Sequence, residues 1–171
     1  MTKLFNEVYK LKNIIRKGWQ IKDAKDLTTN RTESDAEHCF SLCLLALEIM
    51  EKEKLNLNKE KVLKMCLYHE LGETKAGDIT PYDNISKQEK FRKEFEAVEK
   101  ISISTNMPEI LTLWLEFENN QTPEAKFVKV MDKLDAVKQA KIYSKQQNRP
   151  EIFEEFYNNY LPIIKDFKKY I

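Results

Sequence analysis

The sequence predicts an all-α fold, a single-domain helical bundle of about six to eight helices, and three features carry that prediction. Only three of the 171 residues are glycine and five are proline, so few positions favour tight turns. Lys, Glu and Leu, all strong helix formers, abound. Apolar residues recur at spacings of three and four, and no alternating strand pattern extends beyond four residues.

The elements follow in order. Leu4, Val8, Leu11 and Ile15 mark one face of a helix over Lys3–Lys17, with Gly18 expected to end it. Trp19–Thr32, holding Asp23, Asp26, Thr28, Thr29 and Asn30, reads as an irregular polar stretch. Ser34 or Asp35 caps a helix running to about Lys54, and its middle (Cys39, Phe40, Leu42–Leu47) is apolar nearly all round, as a central buried helix should be. Asn58 caps the next helix, Lys59 to about Leu71, with Gly72 as its expected stop. Glu73–Pro81 reads as a loop, Ser86–Ile103 as a charged amphipathic helix, and Met107 or Pro108 to Glu118 as a short one. Thr122 caps, and Pro123 opens, a helix to about Gln146. Pro150 opens the last helix, whose Phe153, Phe156, Tyr157 and Tyr160 stripe is expected to pack within or between subunits. Trp114 with Phe117 reads as core or as a dimer face.

Composition narrows the function. The length suits one domain over residues 1–171, with the core motifs in 31–136 and the C-terminal helix 150–170 serving packing or dimer contact. Lys+Arg (29) nearly cancels Asp+Glu (28), so no electrostatic footprint for nucleic acid or membrane appears. Cys39, Cys43 and Cys66 lie in apolar runs and read as reduced, buried thiols of a cytoplasmic protein. The opening MTKLFNEVYK lacks a signal-peptide core, and the longest apolar stretch, Leu42–Leu47, is too short for a bilayer. No Walker loop or dinucleotide glycine fingerprint is present.

The chain has only two histidines. Leu42, Leu45 and Ile49 follow His38 along one helical stripe, and Val62 and Cys66 precede His69 along another. Two imidazoles therefore point inward and need partners there, either ordinary hydrogen-bonding groups or a metal. Carboxylates cluster around both: Glu33, Asp35 and Glu37 before His38; Glu70, Glu73 and Asp78 after His69. Asp132, four residues after Val128, lies beside an apolar helix face, with Asp135 three further on. Imidazole and carboxylate together suit Zn, Fe, Mn, Co or Ni. Adjacent His69 and Glu70 would point about 100° apart on a helix, so one ion reaches both only beside a helix end. Lys75 and Lys133 flank the acidic cluster as candidate phosphate ligands, with solvated surface lysines as the plainer account.

The stretches RTESDAEH (31–38), YHELGETKAGDITP (68–81) and AKFVKVMDKLDA (125–136), with DNISKQEKFRKEFEA (83–97) between them, resemble the HD-domain superfamily, and most nearly its small 5′-deoxynucleotidases. That resemblance implies metal-dependent hydrolysis of nucleoside 5′-monophosphates, one divalent ion (Co, Mn, Fe, Zn, Ni or Mg) and a homodimer. It implies metal ligation by His38, His69, Glu70 and Asp132, water orientation by Glu73, and an acid near the scissile bond at Asp78. It implies phosphate or nucleoside contacts at Arg31, Arg16 and Trp19. Two departures stand out: Glu70 replaces the family's aspartate, and Gly18 rather than arginine precedes Trp19. Triphosphate or cyclic phosphodiester hydrolysis, and a metal-free nucleotide-binding module, are the alternatives.

Overall fold

The computed structural model describes residues 2–80 and 82–171; Met1 and Pro81, the latter ending the loop expected from the sequence, lie outside them. Its helices are α1 (Lys3–Leu11), α2 (Lys17–Ile21), α3 (Asp35–Lys52), α4 (Lys59–Tyr68), α5 (Glu73–Ala76), α6 (Lys87–Thr105), α7 (Pro108–Glu118), α8 (Pro123–Gln147) and α9 (Pro150–Ile164), followed by a 3₁₀ helix, Lys165–Tyr170. Among the described residues there is no β-sheet, only two isolated bridges. Seven of the α-helices have nine residues or more; α2 and α5 are single turns.

Polar residues at the helix starts satisfy amides that the helix itself cannot. Ser34 and Glu37 cap α3 reciprocally, the Ser34 hydroxyl accepting from the Glu37 amide and the Glu37 carboxylate from the Ser34 amide. Asn58, Ser86 and Thr122 accept from the amides of Lys61, Glu89 and Ala125. Asn106 and Asn148 end α6 and α8 in the left-handed conformation.

Three clusters hold the bundle. Leu42, Leu45 and Ile49 of α3 pack on Val62, Met65 and Cys66 of α4 and on Val128, Met131 and Leu134 of α8. Leu11, Val98, Ile101, Ile110 and Trp114 join α1, α6 and α7. Trp19, Ala136, Ala140, Tyr143 and Ile152 join α2, α8 and α9. Trp114 and Phe117 are thus core, not a dimer face. The aromatic stripe of α9 is likewise used inside the subunit: Phe153 and Tyr157 against the first cluster, Phe156 and Tyr160 against the third.

Four boundaries differ from the sequence reading. α1 ends at Leu11, because Ile15 pairs as extended backbone with Ser34; the Asp35 amide donates to the Ile14 carbonyl at 3.0 Å and the Arg16 amide to the Glu33 carbonyl at 3.1 Å. Gly18, expected to end the first helix, stands inside α2, which runs on into the stretch expected to be irregular. α4 ends at Tyr68, and Gly72 is no stop: a Cβ there would lie 2.7 Å from Glu94 Cβ, so glycine lets α6 approach. Part of the expected loop is α5, after which Gly77, at φ 73°, turns the chain.

Candidate metal centre and adjoining cleft

α3 carries His38 in its first turn, and α4 ends at His69. Because the helix stops there, His69 and Glu70 escape the splay of consecutive helical residues: His69 Nε2 and Glu70 Oε1 lie 3.4 Å apart. His38 Nε2 is 3.9 Å from the same Oε1. One ligand atom from each of His38, His69 and Glu70 lies within 4.8 Å of the other two. Asp132, on α8, stands beside this trio, its Oδ1 3.3 Å from His38 Nε2 and its Oδ2 accepting from Lys133 Nζ at 2.8 Å.

The outer ring nitrogens are spoken for. His38 Nδ1 meets Asp135 Oδ2 at 2.8 Å, and His69 Nδ1 meets the Cys66 carbonyl at 2.9 Å. An acceptor at each Nδ1 keeps the proton there and turns the Nε2 lone pair to the shared point. Both Nε2 atoms are buried and without a hydrogen bond. The Asp132 contact is long for an N–H···O bond, so that carboxylate acts on His38 mainly as a nearby charge. Two orphaned imidazole nitrogens and a carboxylate oxygen converging on one point are a donor set that fits a divalent transition metal.

The charges agree with a cation-seeking centre. Burial and Arg16 push His38 down, but the carboxylates of Asp132 and Asp135 outweigh them and raise it to about 9. Burial pushes Glu70 up, yet His69, Arg16 and His38 hold it well below the usual carboxylate range. Asp132 is likewise held low against burial, by Lys133 and the histidines. Glu73 is the reverse: burial, then Glu70, Asp35 and Asp78, hold its proton on. Asp35, fully buried, is raised to about 7 by burial and Glu70, and neither of its carboxyl oxygens has a hydrogen-bond partner among the described residues.

The centre forms the floor of a cleft of about 1070 Å³ that Glu73, Asp78, Arg16 and Trp19 also line. Asp78 follows the Gly77 turn and accepts the Lys17 amide at 2.6 Å. Arg16 Nη1 donates to Glu70 Oε1 at 2.9 Å. Trp19 is buried; its indole N–H donates to Glu33 at 2.8 Å, and its ring stacks on Phe156 with centroids 4.2 Å apart. Phe156, Asn159 and Tyr160 make α9 the far wall. At the mouth, Lys22 binds Glu155 at 2.5 Å, and Tyr82 donates to Glu155 at 3.3 Å.

Two expected residues stand elsewhere. Arg31 is exposed and paired with Glu37, its backbone bridges to Asp26, and it does not line the cleft. Lys75 lines a separate depression with Lys3, Glu7 and Lys100. Lys133, in contrast, lines the cleft and touches Asp132. The sequence reading missed Glu94, a buried carboxyl lining the cleft and raised to about 7 by burial despite Lys90. Asp135, open in the sequence to either a supporting role or a place on the helix surface, stands behind His38.

The family model for the HD domain matches residues 8–169. The 5′-deoxynucleotidase HDDC2 of Danio rerio is 35% identical over 160 residues, covering 92% of this chain and 76% of that protein. Its namesake in Homo sapiens is 33% identical over 155 residues, 89% and 72%. Among solved structures, a predicted metal-dependent phosphohydrolase from Magnetospirillum magnetotacticum superposes with a TM-score of 0.72 at 25% identity, covering 94% of this chain and 82% of that one. A conserved hypothetical protein from Pyrococcus furiosus gives 0.73 at 28%, covering 98% of each.

Proposed function

The chain belongs to the HD-domain family, and from that premise we propose that it is a metal-dependent phosphohydrolase releasing phosphate from (deoxy)ribonucleoside 5′-monophosphates. The observation that carries the reading is the convergence of two orphaned Nε2 atoms and Glu70 Oε1 on the floor of a cleft large enough for a nucleotide. His38, His69, Glu70 and Asp132 would hold one divalent ion, of the group Co, Mn, Fe, Zn, Ni or Mg. Bound there, it supplies Lewis acidity toward phosphate and lowers the pKa of water.

The chain's own groups do the rest. Glu73, a buried carboxyl lining the cleft, would orient the attacking water and take its proton. Asp78, at the cleft edge, steadies or protonates the departing 5′-oxygen. Arg16 presents a guanidinium fork to the phosphate. Trp19, buried and clamped between Phe156 and Tyr143, would act from behind the cleft wall, fixing the surface against which sugar or base packs. Arg31 and Lys75, outside the cleft, have no part in this scheme.

Among the described residues no helix is long and apolar enough to cross a membrane. Three free cysteines support a reducing, cytoplasmic setting. One domain spanning the chain is supported by the extent of the family match. We place the homodimer contact on α3 and α4, where Phe40, Leu44 and Leu67 are exposed, since the aromatics of α9 are committed internally; light scattering during gel filtration checks it.

The direct test is phosphate release. Protein stripped by chelation and reloaded with Mn²⁺ or Co²⁺ should hydrolyse nucleoside 5′-monophosphates and leave 3′-monophosphates intact. His69→Ala should abolish turnover. Silence on every 5′-monophosphate, or full activity in His69→Ala, overturns the reading.

A further inference from the structure

The Glu70 oxygen that joins the histidine nitrogens is already bonded to a cation of the chain itself. Arg16 Nη1 donates to Glu70 Oε1 at 2.9 Å, while His69 Nε2 and His38 Nε2 lie 3.4 and 3.9 Å from the same atom. Arg16 is not a drifting surface group. Its amide is bonded to the Glu33 carbonyl, and the adjoining Ile15 pairs with Ser34 at the start of α3. The guanidinium also stands 3.7 Å from Glu33 and 3.8 Å from Asp35, both carboxylates of the same wall. The reach of Glu70 makes the contact possible: an aspartate would end roughly one C–C bond, about 1.5 Å, short of it.

We propose that Arg16 is a resident counter-cation of the metal centre, sharing Glu70 Oε1 with the incoming ion and so limiting the affinity of the site for it. This rests on the metal-site reading above. A fixed positive charge one hydrogen bond from a ligand oxygen repels a divalent ion and withdraws the electron density that the ion would use. With no ion bound, the same guanidinium offsets a dense group of buried acids and keeps the apo site folded. Phosphate offers the guanidinium a bidentate alternative to Glu70, so anion binding and metal binding should favour each other, reciprocally, through Arg16. The Glu70 substitution thereby gains a role that its shorter counterpart could not fill.

The test is calorimetric titration of the chelator-stripped full chain with Mn²⁺, with and without inorganic phosphate, alongside metal-dependent thermal melting. Arg16→Gln should bind Mn²⁺ at least about tenfold more tightly than wild type, with a larger metal-induced rise in Tm. Arg16→Lys, which keeps the charge, should bind within about threefold of wild type and guards against a folding artefact. Phosphate should tighten Mn²⁺ binding in wild type and lose that effect in Arg16→Gln. In a Glu70→Asp background, Arg16→Gln should change the affinity less than about twofold, since the contact is already broken. Unchanged or weaker Mn²⁺ binding by Arg16→Gln overturns this proposal alone. Absence of Mn²⁺ binding from wild type and both Arg16 variants overturns the metal-site reading and this proposal with it.

Discussion

Asp135→Asn isolates the group that aims His38. Asp135 Oδ2 lies 2.8 Å from His38 Nδ1, and both residues are buried. A buried hydrogen bond to a charged group is worth about 1.5–3 kcal/mol, and loss of a carboxylate behind a metal-binding imidazole typically costs about 10–100-fold in affinity. A second effect opposes the first. Asp132 and Asp135 overcome burial and Arg16 to raise His38 to about 9, so at pH 7 a metal must displace a proton, a competition of roughly two log units. Removing the Asp135 charge lowers that pKa and relieves part of the competition. The opposing effects separate by pH. Near pH 8.5 little competition remains and the aiming loss dominates; near pH 6 the relief compensates much of it. Mn²⁺ titrations of wild type and Asp135→Asn should therefore diverge as pH rises, reaching about 10–50-fold weaker binding in the variant at pH 8.5. The wild-type log Kd should fall by close to one for each pH unit between 6 and 8.5. A ratio near one at pH 8.5, or one that shrinks with rising pH, refutes the reasoning.

Three further outcomes follow from the same geometry. Glu94→Gln should stabilise the metal-free protein at pH 8 and barely change it at pH 5: the unfolded carboxyl ionises near 4.5 and the folded one near 7, so stability falls as pH rises through that window. The penalty removed is about 2–3 kcal/mol, or roughly 4–12 °C in Tm, and equal shifts at both pH values contradict it. Gly72→Ala should cost about 1–3 kcal/mol in a urea melt, because its Cβ would meet Glu94 Cβ at 2.7 Å, and a neutral result would mean that α6 yields freely. Arg31→Ala should leave kcat/KM within about twofold and stability within about 0.5 kcal/mol, since an exposed Arg31–Glu37 pair contributes little; a large loss of kcat/KM would return Arg31 to the site.

Much of the site was legible because so few residues could form it. With only two histidines, each on an apolar stripe, His38 and His69 had no rivals, and both line up with Glu70 at one point. Asp132 lies 3.3 Å from His38 Nε2, beside the place that the family resemblance implied for it. Asp135 was harder to weigh, because α8 is buried on several sides and no single stripe distinguishes an aiming carboxylate from a surface one. Arg31 stands outside the cleft, paired with Glu37; motif order says nothing of side-chain direction. The helix boundaries failed where length ran out. α2 and α5 each span little more than one turn, too short for a periodicity to register. Ile15 kept the spacing of α1 while serving as extended backbone. Glu94 could not be read at all, since its burial depends on Gly72, far away along the chain.

The far wall of the cleft has a consequence for how the protein is made and how it can diverge. The proposed metal ligands and their aiming acid all precede residue 136, whereas Phe156, Asn159 and Tyr160 belong to α9. A ribosome thus delivers every donor atom of the centre before the helix that walls the far side of the cleft. The two are separate along the chain, so substitutions in the closing helix can reshape that wall while the histidines, Glu70 and Asp132 stay untouched. Truncation before Pro150 would expose the indole of Trp19 and strip the third apolar cluster of Ile152. The closing helix is therefore at once a cover of the fold and a wall of the cleft.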